Sequence, residues 1–85
     1  DNESVEMICE NHILDDVIDK FGTDIRIIKQ DDNHFKAIVR ASSTGIKFWA
    51  LQYLGYVEVV SPTWLRDEII SKIKSNRYIE KRAEK

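Results

Sequence analysis

One cysteine, one proline, one methionine and three glycines are all that this 85-residue sequence has of the residues that staple, kink or loosen a chain. The single thiol, Cys9, excludes an internal disulfide framework and fits a reducing cytoplasm. Gly22, Gly45 and Gly55 are too scattered to build a glycine-rich phosphate loop. No apolar run approaches the roughly 20 residues needed to span a bilayer. The acidic start, Asp1-Asn2-Glu3, lacks the basic and apolar regions of a signal peptide. A basic excess is missing too: 13 Lys and Arg stand against 15 Asp and Glu, for a formal net charge of -2. That balance argues against a chain built around nucleic-acid contact. The expectation is a soluble, cytoplasmic chain with no membrane contact. It begins with Asp rather than Met, directly ahead of a strand pattern, and so reads as a piece excised from something longer.

What is present is an ordinary folding composition, 42% hydrophobic and 33% charged, far from the regime of disordered chains. A chain of this length buries only about 60 to 65 per cent of its unfolded surface, so residues 1–85 are expected to form one domain around one continuous core. The net charge conceals a split. Residues 1–34 hold ten acidic and three basic side chains, net -7, and residues 35–85 hold five acidic and ten basic, net +5. Oppositely signed faces of one fold, or a docking surface between chains, both accommodate it.

Seven elements follow from periodicity. Ser4 to Glu10 alternates as a half-buried strand, with Val5, Met7 and Cys9 on one side and Glu6, Ile8 and Glu10 on the other. Asn11 is placed to cap a helix in which Ile13, Leu14, Val17, Ile18 and Phe21 recur at helical spacing before Gly22. Asp24 to Gln30 reads as a second strand with Ile25 and Ile27 inward. The turn cluster Asp31-Asp32-Asn33 joins it to a third, Phe35 to Arg40, with Phe35, Ala37 and Val39 inward. Ser42, Ser43 or Thr44 caps a helix with Ile46, Trp49, Ala50, Tyr53 and Leu54 on its buried stripe and Gly55 at its end. Val57 to Val60 is a fourth strand. Ser61 as N-cap and Pro62 as first helical residue then start a last helix carrying Leu65, Ile69 and Ile73, with Trp64, Ile70 and Tyr78 beside them and a frayed tail from Glu80 to Lys85. Strand, helix, strand, strand, helix, strand with right-handed crossovers is the ferredoxin-like α+β sandwich, a four-stranded antiparallel sheet with two helices on one face, here extended by a C-terminal helix.

Little in these elements supplies chemistry. Met7-x-Cys9-x-x-His12 has the outline of a soft-metal site at the end of the first strand, but one thiolate and one imidazole are too few ligands, and His34 belongs to the distant hairpin. Asp15, Asp16 and Asp19 form a solvated face near a helix N-terminus, where negative charge is favourable. Ser42-Ser43-Thr44 lacks a base at suggestive spacing and suits capping. The chain is therefore expected not to be an enzyme, and to hold no metal and no cofactor. Its functional face is the sheet surface that the helices leave open: Glu6, Ile8, Arg26, Ile28, Lys36, Ile38, Arg40, Glu58 and Val60. Four aliphatic residues framed by both signs of charge suit docking or ligand contact. None of the nine is aromatic, whereas sheet-based RNA binders of this topology stack bases on aromatic side chains. Trp49, Tyr53, Trp64 and Tyr78 sit on helical stripes as core or interface anchors.

From Phe35 onward the chain resembles the C-terminal extension, or WCX-type domain, of bacterial WYL-domain transcriptional regulators. The residues that carry the likeness are Phe48-Trp49-Ala50-Leu51-Gln52-Tyr53-Leu54-Gly55, Val57-Glu58-Val59-Val60-Ser61-Pro62, and Leu65-Arg66 followed by Ile69, Ile73 and Tyr78. The resemblance implies a longer regulator with an N-terminal helix-turn-helix that binds DNA, a central Sm-like WYL domain that senses a ligand, and this module last. Both upstream domains lie outside residues 1–85. The implied role is dimerisation or relay of the ligand signal, with the regulator's own WYL domain or a second copy as partner, and DNA contacted only through the missing helix-turn-helix. A second reading is a small-molecule sensor of the amino-acid-binding type, which shares the topology, although Glu10-Asn11-His12 is not the glycine-rich loop such domains favour. An acylphosphatase-type enzyme of the same topology needs an Arg in that loop, and residues 10–12 have none.

Overall fold

Alternating burial along two long strands sets the architecture. In β1, Asn2–Glu10, the side chains of Val5, Met7 and Cys9 are each 0% exposed, while Ser4, Glu6, Ile8 and Glu10 keep contact with solvent. In β3, His34–Ser42, Phe35, Ala37 and Val39 are buried in the same way. The computed structural model describes residues 2–22 and 25–78. It pairs β1 with β3 through nine antiparallel positions, from Asn2 opposite Ser42 to Glu10 opposite His34. A period of two then puts both buried triplets on one face.

The remaining strands add at the edges. β2, Arg26–Lys29, joins β3, and β4, Val57–Ser61, joins β1, giving the sheet order β2-β3-β1-β4 with every pairing antiparallel. The helices α1, Leu14–Phe21, and α2, Ser43–Gln52, cross over between strands, and α3, Thr63–Lys74, follows β4. This is the ferredoxin-like α+β arrangement with a C-terminal helix. Val17 of α1, Ile46, Trp49 and Ala50 of α2, and Leu65 and Ile69 of α3 close one core over the buried side of the sheet. Phe21, Trp49 and Tyr53 form an aromatic row between α1 and α2, with Phe21 edge-on to Trp49 at 5.1 Å and Tyr53 stacked on Trp49 at 4.5 Å.

Boundaries differ from the sequence reading where local hydrogen bonds compete with periodicity. Asn11 does not cap α1. A short 3₁₀ turn, Asn11–Ile13, precedes that helix, and Asn11 Nδ2 donates instead to the Asp32 carbonyl at 3.0 Å. Gly22, at φ 83°, ends α1 as expected, its N–H bound to the Ile18 carbonyl. Of the hydroxyl candidates for α2, Ser42 is the cap, accepting from Gly45 N–H at 3.1 Å. A β-carbon at Gly45 would stand 3.0 Å from that hydroxyl, so the glycine lets the cap close. Gly55 does not terminate the helix. α2 stops at Gln52, and the Tyr53 carbonyl accepts from the N–H groups of Tyr56 and Val57.

At α3 the expected cap moves by one residue. Pro62, with ψ 156°, is the N-cap itself, and its carbonyl accepts from Leu65 and Arg66 N–H. Trp64 is 44% and Tyr78 83% exposed, so both lie off the core stripe. Ile27 faces the helix side, opposite Ala37, yet on the edge strand β2 it stays 41% exposed. β2 ends at Lys29, since Gln30 N–H already turns to the His34 carbonyl. The expected strand start at Asp24 and the expected frayed tail from Glu80 to Lys85 lie outside the described residues.

Burial raises the Cys9 thiol from 9.0 to about 12. A neutral thiol is therefore favoured in the folded chain. The associated stability is full below the unfolded value near 9.0 and is lost as pH climbs to about 12, at up to about 1.4 kcal/mol per pH unit. At pH 8 an aromatic disulfide reagent is expected to label Cys9 only at the rate at which the chain opens. Rapid stoichiometric labelling without denaturant would contradict its burial. A second prediction concerns α3. Leu65 is 0% exposed and belongs to the common core, so Leu65→Ala should cost about 2 to 5 kcal/mol in urea unfolding, within a single transition. A cost under about 1 kcal/mol would make α3 an appendage.

Candidate functional site: the open sheet face

No element among the described residues packs on the sheet side opposite α1 and α2. The register arranges its residues in rows. Arg40 lies opposite Ser4. The next row runs Arg26, Ile38, Glu6, Ser61, and the one after it Ile28, Lys36, Ile8, Glu58. His34 and Glu10 form the last paired row. All nine residues expected on this face are on it. Val60 is the extra residue where the β1–β4 register shifts, and it is 36% exposed.

The centre of the face is a two-by-two block. Glu6 is opposite Ile38 and Ile8 is opposite Lys36, so the two isoleucines occupy one diagonal and the two charges the other. Lys36 Nζ reaches Glu6 Oε1 at 3.4 Å along its diagonal. Ile28, 41% exposed, stands on β2 in the same row as Ile8, so the isoleucines at 8, 38 and 28 zigzag between two rows. The centre is thus apolar and locally neutral.

Charge is separated toward the ends of the strands. Toward the end holding the β1 N-terminus, Arg40 lies one row beyond the central block and Arg26 beside it in the Ile38 and Glu6 row; both are exposed, and neither is in an ion pair among the described residues. The opposite end carries Glu10, Asp31 and Asp32. His12 Nε2 lies 2.9 Å from Glu10 Oε1, and Lys29 Nζ lies 3.5 Å from Asp32 Oδ1. Asp31 Oδ1 stands 2.8 Å from His34 Nδ1 and accepts from Asn33 N–H at 2.8 Å. The His34 contact first, and the Asn33 N–H second, hold the Asp31 carboxyl below its ordinary value. Whatever it contributes to the turn is present above the unfolded value and lost as pH falls through the depressed one.

Arg66 was not among the residues expected here. From α3 it reaches around the β4 edge, donating from Nη1 to Glu58 Oε2 at 2.6 Å and to the Val59 carbonyl at 2.9 Å. Glu58 is thereby neutralised, and an edge carbonyl is satisfied. The separation of eight residues between Glu58 and Arg66 spans a strand end, a proline and a helical turn, so no period in the sequence relates them. Inside the same corner, a cleft of about 230 Å³ runs between α2, β4 and α3, with Ala50, Leu54, Val57, Ile69 and Ile73 among its walls.

The metal pattern does not assemble. Met7 and Cys9 point into the core, whereas His12 sits at the surface, edge-on to Tyr56 at 4.8 Å. His34 is not distant, as the hairpin suggested. Asn11 N–H donates to the Asn33 carbonyl at 3.0 Å, which brings the turn against the end of β1 and gathers His12 and His34 on one open cleft with Glu10. Even so, among the described residues no group of three or more His, Cys, Asp or Glu can hold an ion. Asp15, Asp16 and Asp19 are exposed along α1.

Among the described residues no helix is long and apolar enough to cross a membrane. No curated protein matches this chain. A family model does: the WCX domain matches residues 3–75, a span that takes in the three helices entire, the four strands but for Asn2, and the whole open face. The chain belongs to the WCX domain family.

Proposed function

We propose that this chain is a non-catalytic regulatory and dimerisation module of a DNA-binding transcriptional regulator of the WYL type, working in the bacterial cytoplasm. Membership of the WCX family over residues 3–75 carries the reading. In it, DNA is contacted through an upstream helix-turn-helix and effector through an upstream WYL domain. The module contributes a docking face toward that domain or a second copy. The open face suits the role because Ile28 and Val60 are exposed on it, Ile8 and Ile38 are half-buried beside them, and its central charges are already paired.

A second reading is a sensor of small amino-acid-type ligands, and the cleft between α2, β4 and α3 favours it. At about 230 Å³ it is smaller than the roughly 300 to 1,000 Å³ of most ligand pockets, so it suits only a compact apolar molecule. Thermal-shift screening against amino acids separates the readings. A true ligand at about 100 times its dissociation constant stabilises by about 2.7 kcal/mol, and the docking reading expects no such shift.

The main reading is tested by sedimentation of the chain across a concentration series. The apparent mass is expected to rise toward twice the monomer's, and Ile28→Asp or Ile38→Asp to hold the chain monomeric. A monomer at every concentration would remove self-association from the proposal. In the intact protein, the residues ahead of Asp1 are expected to encode a helix-turn-helix and an Sm-like barrel, and their absence would sink it.

A further inference from the structure

The cleft between α2, β4 and α3 is aliphatic within and carries one charge of each sign at its mouth, and the two features together specify a ligand. We infer that it holds a free α-amino acid with a branched aliphatic side chain, the side chain inside the cleft and the charged groups on the Glu58–Arg66 pair. The inference rests on the sensor reading above and names that reading's ligand and its contacts.

Burial orders the lining from floor to mouth. Ala50, Val57, Val59 and Ile69 are buried, Ile70 and Ile73 are half-buried, and Leu54, Glu58 and Arg66 reach solvent. Every one of these side chains except the last two is aliphatic. The walls therefore offer no hydrogen bond to a polar side chain of a ligand, and burying such a group without a partner is costly. At about 230 Å³ the space is also compact. It selects a side chain that is small and wholly apolar.

The mouth complements the ammonium and carboxylate of a free amino acid. Arg66 engages the protein through Nη1 alone, donating to Glu58 Oε2 at 2.6 Å and to the Val59 carbonyl at 2.9 Å. Its Nε and Nη2 donors make no hydrogen bond among the described residues, and that edge of a guanidinium binds a carboxylate through two parallel bonds. Glu58 keeps Oε1 for an ammonium group. Val57 supplies a second acceptor. Its N–H donates to the Tyr53 carbonyl and not to β1, and the two backbone groups of a strand residue point the same way, so the Val57 carbonyl also faces the open edge. Because Glu58 and Arg66 are already paired, an incoming amino acid adds one charge of each sign and leaves none unmatched. An acid without the ammonium sets a carboxylate near Glu58, and an amine without the carboxylate sets an ammonium near Arg66.

The site is distinct from the centre of the open face. It lies along β4, at the opposite edge of the sheet from β2, so filling it leaves Ile28 and Ile38 uncovered. A ligand there touches α2, β4 and α3 together and fastens the last helix to the sheet.

Amide NMR of the isotope-labelled chain tests the assignment. Leucine, isoleucine or valine is expected to give saturable shifts centred on Ala50, Val57, Ile69 and Ile73, with a dissociation constant on the order of 0.1 to 1 mM. Leucinamide, isocaproate and alanine, which lack the carboxylate, the ammonium and the branched side chain in turn, are expected to bind at least about tenfold more weakly. Arg66→Lys keeps the charge and loses the fork, and Glu58→Gln removes the ammonium's partner; each, shown to be folded by circular dichroism, should weaken leucine binding about tenfold. Leucinamide or isocaproate binding as tightly as leucine, shifts that lie away from the cleft, or a polar amino acid that outbinds leucine overturns this inference and leaves amino-acid sensing standing. No shift with any amino acid up to about 10 mM overturns both.

Discussion

Nine consecutive cross-strand positions join β1 to β3, and this ladder lies at the middle of the sheet. A slip of one residue would turn one strand over relative to the other. For β1, Val5, Met7 and Cys9 would enter water, and Glu6 would enter the core. The register is held because each buried residue faces another across the ladder: Val5 opposite Val39, Met7 opposite Ala37, Cys9 opposite Phe35. At the centre the large Met7 opposes the small Ala37, and the helices pack on the face these pairs form. Everything on the open face inherits its position from the same pairing.

The edges are managed differently from the centre. β2 is short and cationic, and its two isoleucines stay 41% exposed. β4 is instead shielded by α3, whose Leu65 and Ile69 complete the core beyond the reach of α2. The Pro62 carbonyl starts that helix and Arg66, one turn later, ties it back to Glu58 and Val59. A third helix is thereby part of the fold, and it covers a strand edge that would otherwise be free to pair.

Element order, the buried alternation in both central strands and most of the helical stripes were legible in the sequence, because period-two and helical patterns report burial directly. So were the nine residues of the open face, by subtraction. Leu54, expected on the buried stripe of α2, lies past its end and is 46% exposed. What escaped were features that depend on groups brought together by tertiary structure. Asn11 reads as a cap by type and position, yet the turn at Asp32 offers its side chain a carbonyl and wins it. Gly55 reads as a helix end, yet the helix has already turned at Tyr53. Arg66 joins the face only because α3 lies along the β4 edge. His34 looks remote from His12 in the chain, and the antiparallel ladder places them at one end of the sheet. The family likeness seen from Phe35 onward extends in the family match back to residue 3.

The imbalance of charge along the chain takes on a different meaning once folded. An acidic first half and a basic second half suggest two lobes, but the antiparallel ladder interleaves them: β1 and β2 come from the first, β3 and β4 from the second. Opposite charges then pair across the centre, as Glu6 does with Lys36, while the strand ends keep Arg40 on one side and Glu10 on the other. Solvent-exposed pairs of this kind contribute at most about 1 kcal/mol each to folding, so the stability of the core does not require this placement. The polarity of the face is thus a property set apart from the core that supports it. It is carried by residues whose charge matters chiefly to whatever approaches from outside.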